Sequence, residues 1–171
     1  MSTTVCTGSP FSVTPSTSVP GNIIPVGTTY GWSIPTYQNA SLSGGESRTG
    51  QTNVFGTITN PTNTTYYANY IVTPTSGICT GANFQVLAYI DPRPAINEMS
   101  AVYCSGTNTV TPANITNGTV PAGTVYTWGL PSYSSASISG GTSGIQTNGI
   151  TQSLLNTSNT TQSATYTVTP S

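Results

Sequence analysis

Charged side chains are almost missing from this sequence. Only 3% of its 171 residues are charged, whereas an average globular protein has roughly 25%. Phosphate binding takes several Lys or Arg side chains, so the two basic residues present argue against a nucleic-acid partner. No apolar run approaches the roughly 20 residues of a membrane span, and the start of the chain does not read as a signal peptide. The sequence therefore predicts neither nucleic-acid binding nor a membrane span.

Histidine is missing altogether, and with it the commonest acid–base and metal-binding side chain. Glu46, Asp91 and Glu98 are the only carboxylates, and they are scattered along the chain. A nucleophilic serine needs a base that these residues do not offer, and the cysteines lack metal-ligand spacing. The sequence predicts no catalytic residue, no metal site and no cofactor, and so not an enzyme.

What the chain has in abundance is repetition, with a period of about 97 residues, the size of one small β-sandwich domain. Met1–Ser2 aligns with Met99–Ser100, and the second copy ends without a counterpart of Phe84–Ile90. We therefore expect a complete module at residues 1–92, a second module at 93–171 that lacks its last strand, and a longer parent protein. The matching segments are Cys6–Gly8 with Cys104–Gly106, Ile24–Trp32 with Val120–Trp128, Leu42–Gly45 with Ile138–Gly141, and Tyr70–Pro74 with Tyr166–Pro170.

Alternating apolar and polar residues predict β-strands and no helix. Ten Tyr and many Val, Ile and Thr suit half-buried strands, while disordered chains, the competing explanation, are rich in charge. Seven or so short strands per copy predict two tandem immunoglobulin-like sandwiches, with Asp91–Pro94 as a semi-rigid linker. The side chains expected in the two cores are Tyr30, Trp32, Tyr70, Val72, Phe84 and Val86, followed by Tyr126, Trp128, Tyr166 and Val168.

The three cysteines occupy matched places in the two copies. Cys6 and Cys104 are expected to open corresponding strands, and Cys79 precedes the last strand of the first copy. We expect a Cys6–Cys79 disulfide, worth up to roughly 4 kcal/mol in the chain-entropy account, with Cys104 unpaired. The alternative is three unpaired cysteines. The odd count favours the disulfide, because an incomplete second copy lacks the partner of Cys104.

Aromatic residues near turns are the candidates for surface contact. Tyr37, Tyr66, Tyr67 and Tyr133 lie beside predicted turns, although ordinary loop packing explains them as well. The two tryptophans alternate with core tyrosines on one strand face, which favours burial over a sugar-stacking role.

A set of short motifs recurs across the chain. They are Cys-Thr/Ser-Gly, Val-Thr-Pro, Val/Ile-Pro-x-Gly-Thr-x-Tyr-x-Trp, Ala-x-Tyr-x-Val-Thr-Pro and Cys-Thr-Gly-x-x-Phe. They occupy Cys6–Gly8, Val13–Pro15, Ile24–Trp32, Val72–Pro74 and Cys79–Phe84, and then Cys104–Gly106, Val110–Pro112, Val120–Trp128 and Ala164–Pro170. Together they resemble the PKD-like repeat domains of Bacteroidota surface proteins. The resemblance implies a long, secreted, multi-repeat protein, of the kind exported by type IX secretion as adhesins, including gliding-motility adhesins.

Three functions are expected in this order. The first is a non-catalytic structural repeat of an extracellular surface adhesin or fibre, with neighbouring repeats, copies of itself or surface polysaccharide as partners. The second is a carbohydrate- or protein-binding module that uses loop tyrosines. The third is a self-assembling filament in which a neighbour donates the strand missing from the second copy.

Overall fold

The computed structural model describes residues 1–171, and every regular element in it is a β-strand. The chain divides into an N-terminal unit, Met1–Pro92, and a C-terminal unit, Arg93–Ser171. None of its segments is a helix with the length and apolar character needed to cross a membrane. The short strands follow from the sequence, in which Gly, Pro and Asn interrupt alternating apolar and polar residues.

The N-terminal unit is a sandwich of two sheets. One sheet has the order β1-β10-β8-β3-β6, with β4 and β9 also paired to β8, and the other has the order β2-β7-β5. Strand β1 runs parallel to β10, and the remaining pairs are antiparallel. The strands are β1 (Ser2–Cys6), β2 (Pro10–Val13), β3 (Thr29–Trp32), β4 (Thr36–Tyr37), β5 (Ser43–Gly44), β6 (Arg48–Gln51), β7 (Val54–Thr59), β8 (Tyr66–Ser76), β9 (Cys79–Thr80) and β10 (Phe84–Asp91).

The core of this unit lies between the two sheets and is rich in aromatic rings. The ring of Trp32 packs edge-on against Phe55 at 5.7 Å, and Phe11 packs in the same way against Tyr70 at 5.5 Å between ring centroids. Phe84 is partly buried and packs against this cluster. The period-two alternation of β8 and β10 explains the core, because every second side chain points between the sheets. Side chains with no exposed surface are Val54, Ile58, Ala68, Tyr70, Val72, Val86, Ala88 and Ile90.

The C-terminal unit contains two three-stranded sheets, β12-β18-β16 and β17-β14-β20, and two short pairs, β15-β19 and β11-β13. Its buried apolar side chains are Tyr126, Trp128 and Ile138. The strands are β11 (Ala95–Ile96), β12 (Gly106–Val110), β13 (Gly118–Thr119), β14 (Tyr126–Trp128), β15 (Ser132–Tyr133), β16 (Ile138–Gly140), β17 (Gly144–Gln146), β18 (Ile150–Asn156), β19 (Ala164–Thr165) and β20 (Val168–Pro170).

Corresponding strands pair in the same way in the two units, except at the outer edge. The order β17-β14-β20 matches β6-β3-β8, but β20 has no strand on the side where β8 pairs with β10. Two side chains expected in the second core are affected: Tyr166 and Val168 are half-buried, whereas their counterparts Tyr70 and Val72 are fully buried. Their exposure follows from the missing neighbour strand, because nothing covers that flank of the sheet.

The segment after β10 is held by the C-terminal unit. Strand β11 pairs with β13, and the Asn97 amide donates to the Asn117 carbonyl at 2.9 Å. Gly118 in β13 has a φ of +109°, and a Cβ there would lie 2.2 Å from the Ala95 carbonyl oxygen. Only glycine therefore fits beside this strand, and Pro92–Pro94 are the residues left between the paired strands of the two units.

The expected Cys6–Cys79 disulfide is wrong, because the two residues lie at opposite ends of one sheet. Cys6 ends β1 rather than opening a strand, and it pairs with Asp91 at the far end of β10. Cys79 pairs with Ser76, the last residue of β8. Ser76 lies four residues beyond Val72, which pairs with Phe84 at the start of β10. The length of β10 alone separates the two ends by roughly 24 Å, whereas a disulfide needs Cα atoms within about 7 Å. The cysteines Cys6, Cys79 and Cys104 are free and exposed.

Candidate functional site

The three carboxylates do not converge on one site. Glu46 is exposed and forms an ion pair with Arg48. Asp91 accepts a hydrogen bond of 2.6 Å from the hydroxyl of Thr65, and Glu98 is exposed beyond β11. No three His, Cys, Asp or Glu side chains are grouped closely enough to hold a metal ion. The three carboxylates therefore lie apart from one another.

Two structural anchors recur in both units around the tryptophan and the following tyrosine. The indole nitrogen of Trp32 donates to the Glu46 carbonyl at 2.9 Å, and that of Trp128 donates to the Thr142 carbonyl at 2.8 Å. Both Trp side chains are buried, so these bonds satisfy a donor that water does not reach. The tryptophans are thus part of each core.

The four tyrosines expected at surface contacts lie in different surroundings. The hydroxyl of Tyr37 donates to the Gly44 carbonyl, and that of Tyr133 donates to the Gly140 carbonyl. Tyr66 is partly buried against the core. The hydroxyls of Tyr37 and Tyr133 therefore hold a loop in their respective units. Tyr133 keeps 40% of its surface exposed.

Tyr67 lies on the outer face of β8 and has a partner that the sequence did not single out. It is directly opposite Tyr89 on β10, and the two rings pack edge-to-face at 5.6 Å. The alternation of β10 was the available signal, since it sends Tyr89 to the face opposite the core. The C-terminal unit has Ser163 at the position of Tyr67, so this aromatic pair is confined to one unit.

An asparagine turn forms the end of each unit where Cys6 and Cys104 lie. In the N-terminal unit the buried Asn60 amide group donates to the carbonyls of Thr64 at 2.8 Å and Ile90 at 2.9 Å. The Asn60 backbone amide donates to the Thr7 hydroxyl at 2.7 Å. These bonds tie the turn after β7 to the residue that follows Cys6 and to β10.

The C-terminal unit repeats most of that turn. Asn156 donates through its side chain to the Thr160 carbonyl at 2.8 Å, and its backbone amide donates to the Ser105 hydroxyl at 3.0 Å. The bond to an outer strand is missing, because no strand lies in the place of β10. Sequence reasoning recognised both segments as turns but not the asparagine side chain that organises them.

The core tyrosines next to these anchors differ in hydrogen bonding. The Tyr70 hydroxyl is buried and has no hydrogen-bond partner, whereas the Tyr166 hydroxyl donates to the Gln152 side-chain carbonyl at 3.2 Å. Burial raises the pKa of Tyr70 far above its ordinary value, and the nearby Tyr37 adds to the shift. Burial also raises the pKa of Tyr166, with a smaller contribution from Tyr133. Both phenols therefore stay neutral at physiological pH.

The surface depressions are shallow and uncharged. A groove of about 530 Å³ in the N-terminal unit is lined by residues that include Gly31, Thr49 and Ile71. A smaller hollow of about 190 Å³ lies beside Tyr126 in the C-terminal unit, lined by Thr, Pro, Gly and Asn. Both are lined by side chains that carry no charge at neutral pH. The more distinctive surfaces are the uncovered edge of β20 and the exposed cysteines at the unit ends.

Comparison with known proteins agrees with this sandwich. The PKD-like domain family matches residues 3–94. PKD-like domains are typically extracellular and non-catalytic, which is consistent with a structural or adhesion module. The searches of curated proteins and of solved structures gave no match. Because the matched segment covers more than half of the 171 residues, the chain belongs to the PKD-like domain family.

Proposed function

We propose that this chain is a non-catalytic structural repeat of a long extracellular adhesin or fibre, providing reach and surface contact. We further propose that the C-terminal unit is a second, tandem PKD-like module without its last strand. The observation that carries both proposals is the recurrence of the same anchors in the two units. The indole bonds of Trp32 and Trp128 and the asparagine turns of Asn60 and Asn156 are made to corresponding backbone positions.

The surface chemistry supports a spacer. Arg48–Glu46 is the only ion pair, and both side chains are largely exposed, so it contributes little to stability. Hydroxyl and amide groups provide most of the polar surface, and screening by salt hardly affects such groups. We therefore expect the dimensions of such a repeat to depend little on salt concentration.

The motif resemblance supports a biological setting for the proposal. The parent protein is a multi-repeat adhesin on the surface of a member of the Bacteroidota, exported by type IX secretion and of the gliding-motility type. Its partners are neighbouring repeats, other copies of the protein and surface polysaccharide. The PKD-like family match over residues 3–94 is consistent with this setting.

Small-angle scattering of the full chain tests the spacer proposal. We expect the maximum dimension to be the same at low and high ionic strength, because too few charges are present to attract or repel the units. A Pro92→Gly/Pro94→Gly variant is the matched control, and it should broaden the distance distribution at either salt concentration. A wild-type dimension that contracts or expands with salt would contradict the spacer role.

The uncovered edge of β20 favours a second candidate function, a filament completed by strand donation. Unpaired backbone groups on such an edge are a template for another strand. The half-buried Tyr166 and Val168 form the apolar flank that β10 covers in the N-terminal unit. A donated strand with apolar residues at alternate positions would restore the missing cover.

A synthetic peptide with the sequence of residues 83–92 tests this second candidate. We expect it to bind the full chain and to protect Tyr166 from iodination, since its alternate apolar side chains fit the uncovered flank. A control peptide with Val86, Ala88 and Ile90 replaced by Ser should not bind. Tyr70 is an internal control, because β10 already covers it. Equal binding of both peptides, or of neither, would refute strand addition.

A further inference from the structure

We propose that Cys6 and Cys79 are the two halves of a disulfide between copies of the PKD-like module, which joins the C-terminal end of one copy to the N-terminal end of another. This inference rests on the proposed function of a repeat array. The two ends are the two ends of the larger sheet of the N-terminal unit. We call the end that contains Gly77–Cys79 and the start of β10 the N-terminal end. We call the end that contains Cys6 and Asp91, where β10 leaves the unit, the C-terminal end. The partner is therefore a second copy of this chain.

Cys79 is presented at the tip of a hairpin. Strand β9 pairs with β8 alone, through Ser76 with Cys79 and Thr75 with Thr80. Gly77 makes the turn with a φ of +58°, and Ile78 next to it is fully exposed. An apolar side chain and a thiol thus project together from the end of the sheet, where no other part of the unit covers them.

Cys6 is held at the opposite end on a hydrogen-bonded turn. The Thr7 amide donates to the Asp91 carbonyl at 2.8 Å, and the Gly8 amide donates to the Ile58 carbonyl at 2.9 Å. The Thr7 hydroxyl also accepts from Asn60. These bonds fix the backbone beside Cys6, while its own side chain remains exposed. A fixed, exposed thiol suits the strict geometry that a disulfide requires.

The C-terminal unit independently repeats the arrangement around Cys6. Cys104 is also exposed, and it is followed by Ser105, whose hydroxyl accepts from the Asn156 amide. The carbonyl of Cys104 accepts a further bond of 3.1 Å from the Asn108 side chain. An exposed cysteine at the asparagine-turn end is thus a property of both units.

No pairing within one unit is open to these thiols. Cys6 and Cys79 are separated by the length of β10, and Cys104 is the single cysteine of the C-terminal unit. Extracellular proteins meet oxidising conditions, where an unpaired exposed cysteine points to pairing between molecules. A thiol at each end allows copies to be joined in one direction, head to tail.

The chemistry balances with a low-molecular-weight disulfide such as glutathione disulfide as the oxidant. The Cys79 thiolate attacks one sulfur of the oxidant, so that its S–S bond breaks and one glutathione thiolate leaves. The Cys6 thiolate of the second copy then attacks the Cys79 sulfur of the mixed disulfide. The Sγ–Sγ bond forms, the second glutathione leaves, and each thiol proton is taken up by a released thiolate.

The test uses the full chain with Cys104→Ser, so that only the two cysteines of the N-terminal unit react. Equal amounts of isotope-labelled and unlabelled chain are mixed, oxidised with glutathione disulfide and cut with a protease that cleaves after Glu. The two glutamates, Glu46 and Glu98, place Cys6 in fragment 1–46 and Cys79 in fragment 47–98. Mass spectrometry then identifies each cross-link and whether it joins two different chains.

We expect a ladder of dimers and longer species on a non-reducing gel. Cross-links between fragments 1–46 and 47–98 of different chains should exceed the statistical share for two equally exposed thiols. Adding Cys6→Ser or Cys79→Ser to the Cys104→Ser chain should abolish the ladder above the dimer, because one thiol remains. Far-ultraviolet circular dichroism checks that each variant is folded.

Three outcomes would overturn the inference: a Cys6–Cys79 cross-link confined to single chains, fragments joined mainly to their own kind, or no cross-link at all. The scattering experiment on the spacer is independent of these results. If the maximum dimension does not change with salt but no cross-link forms between Cys6 and Cys79 of different chains, the disulfide is refuted and the spacer function is still supported.

Discussion

In the N-terminal unit β8 lies between two strands, whereas its counterpart β20 in the C-terminal unit has a neighbour on one side. The residues on these strands are alike, since Tyr70 and Val72 correspond to Tyr166 and Val168. Only the first pair is fully buried. The comparison teaches that the core depends on the outer strand for its cover and not only on the side chains that point inward.

The hydroxyl group of the core tyrosine also lies in different surroundings in the two units. Around Tyr70 the N-terminal unit has Phe11 and Gly56, and a Cβ on Gly56 would lie 2.7 Å from the hydroxyl. The C-terminal unit has Gln152 in the place of Gly56, and its carbonyl accepts both from Tyr166 and from the Thr142 amide at 2.7 Å. One unit favours apolar packing, and the other favours a satisfied polar group.

The largest difference should come from removing a core side chain that the units share. Ile58 is fully buried, while its counterpart Leu154 is half-buried. We expect Ile58→Ala to cost about 2–5 kcal/mol of unfolding free energy in the N-terminal unit, and Leu154→Ala to cost half of that or less in the other. Urea unfolding followed by tryptophan fluorescence measures both, because each unit has one Trp. A Trp128→Phe background reports on the N-terminal unit alone, and a Trp32→Phe background reports on the C-terminal unit alone. Equal costs would mean that the outer strand does not increase the burial of the core.

A smaller difference is expected at the asparagine turns. Asn60→Ala removes the bond to the Ile90 carbonyl of β10 as well as the bonds within the turn. It should cost about 2–3 kcal/mol, since buried carbonyls lose their donors. Asn156→Ala removes only the bonds within a more exposed turn, and should cost about 1 kcal/mol. The same fluorescence assay measures both losses of unfolding free energy. A larger loss for Asn156→Ala would contradict the conclusion that the bond to β10 adds to the stability of the Asn60 turn.

The tyrosine hydroxyls predict effects of opposite sign. Tyr70→Phe removes a buried hydroxyl that has no partner, so it should stabilise the N-terminal unit by about 1 kcal/mol. Tyr166→Phe removes a donor to Gln152 and should destabilise the C-terminal unit by about 1 kcal/mol. Thermal unfolding of the two variants beside the wild type is the measurement. Destabilisation by both would show that the Tyr70 hydroxyl has a partner in solution.

The smallest effect should be that of pH between about 5 and 9, where we expect no change in stability, because tyrosine titrates near 10. Burial raises the pKa of Tyr30, Tyr70, Tyr126 and Tyr166 in the folded chain. The folded state thus holds these phenol protons more tightly than the unfolded state does. The stabilisation is complete below pH 10 and is lost as the pH rises toward the raised values. Urea midpoints should begin to fall above about pH 10 in both units and should fall further in the N-terminal unit, because the pKa of Tyr70 is raised far above its ordinary value. A loss near neutral pH would contradict the assignment.

Much of the fold was predictable from the alternation of single strands. The pattern of β3, β8 and β10 identified the inward-facing side chains Tyr30, Trp32, Tyr70 and Val86, and the structure buries them. Strand direction was not predictable, because alternation is the same whether β1 lies parallel or antiparallel to β10. The expected disulfide failed for that reason: strands that are neighbours can still carry their cysteines at opposite ends.

The polar features of the site were predictable only in part. The turn at Asn60 was legible from its Asn, Pro and Thr residues, but the bond from its side chain to β10 depends on a contact between distant segments. The exchange of Gly56 for Gln152 is visible in the sequence. Its effect on the hydrogen bonding of the core tyrosine could not be predicted, because that effect depends on which side chain lies across the sandwich.

The parallel pairing of β1 with β10 has a mechanical consequence. Five residue pairs, from Ser2 with Leu87 to Cys6 with Asp91, join the strands that lead into and out of the unit. Tension applied through the chain at both ends would draw these two strands in opposite directions along their length. Their hydrogen bonds would then be loaded in shear, all together, instead of being unzipped one after another. Such a unit should therefore withstand a larger pulling force than one whose terminal strands separate pair by pair.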